Sequence, residues 1–372
     1  MKDLFQIIEE QGYCIIAEIG VNYYDIATKM GLSNMDAAKL MCKEAAESGC
    51  DAVKFQTYKA GKIASKFSPS YWDTTEEPTT SQFELFQKFD AFGEKEYQEL
   101  KDYCDEIGTI FMSTPFDFDA ADYLNPMMDY YKISSSDLTN IPFIEHMCKF
   151  NKPILLSTGA SNAEEIDRAV NTVKKYGNKL VLLHCVLEYP TPYEHANLLK
   201  VQALKEAYPD VMIGYSDHTK PDESCDVLKT AYSLGAVVIE KHFTLDKTLK
   251  GNDHYHAMDP EDVRRIKAGL DNIRLISGSK SVNALESESA ARSNARRSIV
   301  LLRDVKAGEV LKESDVTFKR PGIGIAPSEI DNVIGKTFAG DLQEDTIFHL
   351  FPFRTEKLSP MEPMVLTYQL GE

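Results

Sequence analysis

Short runs of apolar and β-branched residues alternate along the chain with longer stretches whose apolar positions fall three and four apart, the periods of strand and helix. The first run, YCIIAEIGVN (13–22), is followed by DAAKLMCKEAAESG, where Gly49 predicts a helix C-cap. Further strand runs fall at 50–58, 109–116, 130–137, 153–160, 179–186, 211–218 and 236–245, with helical stretches such as EKEYQELKDYCDEIG between them. Eight β-α units in about 280 residues fit a parallel sheet closed into a (β/α)8 TIM barrel better than an open sheet. The expected division is a barrel over 1–280, a polar linker or capped helix over 281–297, a small β-rich domain over 298–355 and a tail over 356–372. The GIG of RPGIGIAPSE reads as a turn, because no helix-opening GxGxxG follows a strand there.

Each predicted strand begins apolar and ends polar: Glu18, Lys54 with Gln56, Thr114, Lys132 with Ser135, Ser157, His184, Ser216 with His218, and Lys241 with His242. In a barrel these ends meet at one mouth, where active sites are built. Taken singly, each has a plainer reading: Ser157 and Thr158 as caps for the next helix, Asp217 as an Asx-turn. Polar groups on all eight ends favour a site, since a purely structural barrel needs no lysines and histidines there.

Composition narrows the partners. The chain has 372 residues, 43% of them hydrophobic, enough for a full core. A formal net charge of −17 disfavours nucleic acid and anionic membranes while leaving room for a local basic pocket. No apolar run reaches 18 residues and the first residues lack the order of a signal peptide, so a cytoplasmic address is expected. Seven scattered cysteines without a CxxC predict reduced, buried core thiols.

His218 and His242 end consecutive strands and can converge on a divalent ion, leaving positions for water and a substrate oxygen. The competing reading makes them satisfied polar residues, and His254 and His256 of DHYH form a second, weaker pair. Lys54 and Lys132, with Thr114, Ser135, Ser157 and Ser216, make a site for a phosphate or carboxylate. A lysine there could instead form a Schiff base, or simply pair with carboxylates.

EIGVN, DAVKFQTY, STPFD, YKISSSD, LSTGAS, EYPTPYE, GYSDHT, EKHFT and RPGIGIAPSEIDNVIGK, in this order, resemble the sialic acid synthase family with its barrel and C-terminal antifreeze-like (SAF) domain. The resemblance covers nearly the whole chain. It implies condensation of phosphoenolpyruvate with an N-acetylated aldose to give a 3-deoxy-2-keto nonulosonic acid and phosphate. It further implies a metal, usually manganese with Mg2+ or Co2+ as alternatives, between His218 and His242. Phosphoenolpyruvate would lie against Lys54, Thr114, Lys132, Ser135, Ser157 and Ser216, Glu18 and Asp137 would handle protons, and Gln56, Tyr189 and Asp253 would face the sugar. Arg320 of RPGIG would reach the sugar from the partner of a domain-swapped homodimer.

Several positions depart from the family pattern: Tyr23 stands for a histidine, Leu187 for an asparagine of some members, Glu188 precedes Tyr189, and Asp137 replaces a glutamate. These changes are expected around the aldose, leaving its identity open. A Schiff-base pyruvate aldolase and a non-catalytic carbohydrate-binding relative are the competing functions. The aromatic, Ser/Thr-rich loop 61–86 is expected to cover the mouth or to lie as an ordered surface loop.

Overall fold

Eight strands form where the apolar runs predict them: β1 (Cys14–Gly20), β2 (Ala52–Thr57), β3 (Ile110–Pro115), β4 (Tyr131–Ile133), β5 (Ile154–Ser157), β6 (Leu180–Cys185), β7 (Met212–Asp217) and β8 (Ala236–His242). The computed structural model describes residues 3–349 other than Asp73, Glu76 and Asn252. The 356–372 tail and the expected boundary at 355 lie outside the described residues. All eight strands belong to one sheet in the order β3-β2-β1-β8-β7-β6-β5-β4, with parallel pairing throughout. β3 and β4, the ends of that order, lie against each other, so the sheet closes into a (β/α)8 barrel.

Both faces of the sheet are buried, which is why the strands read as nearly continuous apolar runs. Outward residues such as Ile15, Val53, Phe55, Leu156, Tyr215 and Ile239 pack under the helices. Inward residues Ile16, Ala52, Met112, Leu155, Leu183 and Val238 fill the lower barrel. That interior is stoppered by α1 (Leu4–Gln11), a helix the strand pattern does not announce. Asp3 caps it by accepting from the amides of Phe5 and Gln6, and its Leu4 and Ile8 enter the inner cluster. Burial of two such side chains contributes roughly 1.5–3 kcal/mol each.

At Gly214 a Cβ would stand 2.7 Å from the carbonyl oxygen of Val238, so only glycine lets β7 and β8 approach this closely. The pairing slips between Ile213 and Gly214 and then sets Ser216 opposite Glu240.

The chain divides at Gly278/Ser279 into two compact units. In the second, β9 (Ser298–Leu301) pairs antiparallel with β10 (Val316–Lys319). Ile299, Leu301, Leu311, Val333, Phe338 and Phe348 form a separate small core. The stretch expected as a linker contains an exposed helix, Ser289–Ala295. Arg320, just after β10, is exposed. Among the described residues no helix is long and apolar enough to cross a membrane. All seven cysteines are buried and unbridged.

Candidate active site

The period of two along each strand decides which polar ends meet. Parallel register aligns Glu18 with both Lys54 and His242, Gln56 with Thr114, and Ser216 with Glu240, placing these side chains in adjacent layers inside the barrel. They line a cavity of about 660 Å³ at the C-terminal ends of the strands, together with Lys132, Ser135, Asp137, Ser157, Tyr189, His218 and Asp253. A second depression of about 640 Å³ lies against α1 at the opposite ends, but Glu10, Asp51 and Asp105 line it without a lysine, arginine or histidine. The convergent chemistry is at the mouth.

Two residues of the expected ring do not join it, because odd and even positions face opposite ways. Lys241 turns outward and donates to Asp217 Oδ2 and the Thr219 carbonyl, both at 2.5 Å. His184 likewise turns out, stacking on Tyr215 and bonding the Ala196 carbonyl at 2.8 Å. Asp217 is the Asx-type brace of its turn, accepting from the Thr219 amide at 2.9 Å. Ser157 is no helix cap, since Asn162 caps the helix Ala163–Tyr176 and the buried Ser157 hydroxyl has no hydrogen-bond partner.

The cavity floor is a buried network of two lysines and two carboxylates. Lys54 pairs with Glu18, stands 3.8 Å from Glu240 and donates to Thr114 Oγ1 at 3.2 Å. Lys132 is 3.4 Å from Glu240, which also accepts from Ser216 Oγ at 2.9 Å. Gln56 Nε2 donates to Glu18 Oε1 at 2.9 Å. Glu240 was not among the residues singled out from sequence. It sits one place before Lys241, and the inward alternation Val238, Glu240, His242 was the signal that could have found it.

Burial acts against every charge in this network, and neighbours decide the outcome. Burial pushes the Glu18 carboxyl up, and Lys54 does not fully reverse it. For Glu240 burial pulls the same way, but Lys132 and Lys54 overrule it and hold the carboxyl below its ordinary value. Burial opposes the Lys54 ammonium while Glu18 and Glu240 lift it above the usual range. Lys132 is held low by burial, which Glu240 only partly offsets. The layer thus sets a carboxyl shifted up beside one shifted down, a division typical of functional sites. Asp137, half-buried at the rim, is pushed up by burial and accepts from Asn140 at 3.2 Å.

Beside this floor the imidazoles gather. His218 and His242 have ring centres 5.5 Å apart, and Tyr189 lies over His218 at 4.2 Å. The Val186 carbonyl fixes His218 Nδ1 at 2.7 Å, which presents Nε2 to the cavity side of the cluster. Burial and then His256 and His218 hold His242 well below its ordinary value, and its Nδ1 lacks a hydrogen-bond partner. Burial pushes Asp253 up to about 6. A buried imidazole with an unpaired nitrogen, 3.8 Å from the Asp253 carboxyl group, suits a divalent cation. Cys185, expected as plain core, also lines the cavity, 3.8 Å from His218 Nδ1.

The loop after β2 forms one wall, with Lys62, Ile63, Tyr71, Gln82 and Phe86 lining the cavity. Trp72 locks it by donating to the carbonyls of Glu77 and Thr79, each at 3.1 Å. Of the departures expected around the sugar, Leu187 and Asp137 line the cavity. Glu188 and Tyr23 do not: Glu188 pairs with His195 at 2.9 Å, and Tyr23 is buried against Phe92, ring centres 4.8 Å apart.

A closed barrel with this mouth, followed by a small β domain, belongs to the phosphoenolpyruvate-dependent synthases that form a carbon–carbon bond. Residues 41–282 match the NeuB family and residues 296–350 the SAF domain. The N,N'-diacetyllegionaminic acid synthase of Campylobacter jejuni is 36% identical over 340 residues, 90% of this chain and 98% of that one. The N-acetylneuraminate-9-phosphate synthase of Mus musculus is 30% identical, covering 89% of this chain and 90% of its own. The crystal structure of N-acetylneuraminic acid synthetase from Leptospira borgpetersenii superposes with a TM-score of 0.65 at 31% identity, over 75% of this chain and 90% of that one. This chain belongs to the NeuB family and is an enzyme of that synthase class.

Proposed function

We propose that the protein condenses phosphoenolpyruvate with an N-acetylated aldose, a 2-acetamido or diacetamido hexose, to give a 3-deoxy-2-keto nonulosonic acid and phosphate. The observation that carries this reading is the buried Lys54–Glu18–Glu240–Lys132 floor beneath unpaired hydroxyl and imidazole groups. Phosphoenolpyruvate lies over Lys54 and Lys132 and takes hydrogen bonds from Thr114, Ser135, Ser157 and Ser216. C3 attacks the aldehyde carbon, water adds at C2, and loss of phosphate leaves the keto acid. Glu18 holds or releases the proton of that water, with Glu240 and Asp137 the other carboxyls in the cavity. Gln56, Tyr189 and Asp253 face the sugar. A divalent ion held through His218 and His242, with Mn2+ placed ahead of Mg2+ and Co2+, supplies Lewis-acid polarisation of the aldehyde when bound. The cytoplasm is the proposed location.

Ile63, Tyr71, Phe86, Phe116 and Leu187 give the outer cavity an apolar lining. That lining favours a sugar carrying acetyl methyl groups, in keeping with the diacetylated product named in the C. jejuni relative. A panel of N-acetylated hexoses, with phosphate release and product mass measured for each, should place a diacetamido hexose roughly 10–200-fold ahead of N-acetylmannosamine in kcat/KM. No phosphate release with any sugar would leave a binding module or a pyruvate aldolase. The aldolase alternative now rests on Lys132, the lysine whose ammonium is disfavoured. Inactivation by borohydride with pyruvate would establish it.

We place Arg320 at the sugar of the partner subunit in a domain-swapped homodimer. Arg320→Ala is then expected to raise the KM for the aldose while dimer formation and the KM for phosphoenolpyruvate stay near wild type, because alanine cannot replace a fixed fork of donors. Mixing Arg320→Ala and His218→Ala chains should rebuild one intact composite site per heterodimer. No recovery from a demonstrated heterodimer would mean that each small domain serves its own barrel.

A further inference from the structure

The loop after β8 carries Asp253 to the cavity without a hydrogen bond from either imidazole beside it. The carboxyl stands 3.8 Å from His242 Nδ1 through one oxygen and 3.8 Å from His256 Nε2 through the other, beyond hydrogen-bond reach of both. Its aim is therefore set through the backbone that bears it, and that backbone is pinned by residues that do not line the cavity. Asn22, buried just after β1, donates from Nδ2 to the Phe243 carbonyl at 3.0 Å and to the carbonyl of Asp253 itself at 3.3 Å. His254, next in the chain, is fully buried, and both of its ring nitrogens are engaged. Nδ1 meets Thr244 Oγ1 at 2.8 Å and Nε2 meets Asp25 Oδ2 at 3.1 Å. A carboxylate only accepts, so Nε2 is the donor in the second bond.

The two ends of this bridge rest on different elements. Thr244 belongs to the foot of the loop, where its amide donates to the Met258 carbonyl at 3.0 Å and the Met258 amide donates to the His242 carbonyl at 2.7 Å. Asp25 belongs to the helix Tyr23–Met30, in the stretch after β1 where Tyr23 departs from the family pattern. Resting on the reading that Asp253 faces the sugar, we propose that His254 is a positioning residue: the Asp25–His254–Thr244 bridge ties the Asp253 loop to the helix after β1 and holds the Asp253 carboxyl in line with the aldose. Lys54 and Lys132 stand on β2 and β4, outside the bridge, so it acts on the sugar and not on phosphoenolpyruvate.

Asp25, the half-buried end of the bridge, is the position to vary. With N-acetylmannosamine as the sugar, Asp25→Ala should raise the sugar KM roughly 10–100-fold, the cost of a misplaced contact, while the phosphoenolpyruvate KM stays near wild type. Asp25→Asn keeps an acceptor for Nε2 and should return the sugar KM to near wild type. Thr244→Val, which removes the other end of the bridge, should act as Asp25→Ala does and serves if that variant fails to fold. Adding Asp25→Ala to Asp253→Ala should cost little beyond Asp253→Ala alone, because the bridge works through that carboxyl. An unchanged sugar KM in Asp25→Ala, an equal rise in both Michaelis constants, or a fully additive double variant overturns the proposal. If Asp253→Ala itself leaves the sugar KM unchanged, the reading of Asp253 falls and the bridge with it; if Asp253→Ala raises it and Asp25→Ala does not, the bridge alone falls. Should no sugar turn over, a crystal structure of the Asp25→Ala chain decides: an Asp253 carboxyl displaced from its wild-type place supports the bridge, and one still in place overturns it.

Discussion

Replacing Lys54 with methionine is expected to weaken phosphoenolpyruvate binding by about 1.5–3 kcal/mol, roughly 10–150-fold, while the aldose constant changes less. The structure adds a second effect. Lys54 is 2% exposed and stands between Glu18 and Glu240, so methionine keeps the volume but leaves two carboxyl groups in one buried layer with Lys132 the lysine that remains beside them among the described residues. Breaking a buried pair in this way destabilises by about 3–5 kcal/mol unless a proton takes the cation's place. Glu18 is the group that would take it, being already raised by burial. A carboxyl whose folded-state pKa is raised leaves stability intact below its unfolded pKa, and that stability is lost as pH rises through the folded value. The melting temperature of Lys54→Met should therefore fall further below wild type at pH 8 than at pH 5. A gap independent of pH, with unchanged phosphoenolpyruvate affinity, would place the anion elsewhere.

His242→Ala is expected to reduce turnover on the order of 10³-fold, and a chelator should do the same reversibly to the wild type. His242 is buried with an unpaired nitrogen and faces both His218 and His256, so its removal takes away a donor without breaking any protein hydrogen bond at that nitrogen. The melting temperature without metal should thus move little. Saturating Mn2+ or Co2+ at about 100 times the dissociation constant should stabilise the wild type by roughly 2.7 kcal/mol, and the variant should lose most of that gain. Full activity in excess chelator would remove the ion from the reaction.

The barrel was legible because each strand is buried on both sides, which writes it into the sequence as a short apolar run. All eight runs became strands, with ends shifted by up to a few residues. The mouth was partly legible, since a polar residue at the end of an apolar run has little reason to be there. Facing was harder to read. In EKH the conspicuous pair is Lys241 and His242, yet alternation sends Glu240 inward and Lys241 out to Asp217. His256 could not be told from His254 by HxH spacing in a loop, because their difference lies in partners far along the chain. Asp25 and Thr244 satisfy one ring, whereas His242 and Asp253 surround the other. The stopper α1 lacks a strand-like signal and belongs to the barrel only through Leu4 and Ile8.

That stopper fixes the order of traffic. With the inner cluster filling the lower barrel, the cavity lies at the C-terminal ends of the strands, and a ligand at its floor is expected to enter before one near its rim. On the proposed reaction, phosphoenolpyruvate over Lys54 and Lys132 is expected to precede the sugar, and a sugar that arrives first to block the way down. The expected kinetics are then compulsory-order, with inhibition at high aldose that excess phosphoenolpyruvate relieves, and initial rates measured over both substrate concentrations check this order.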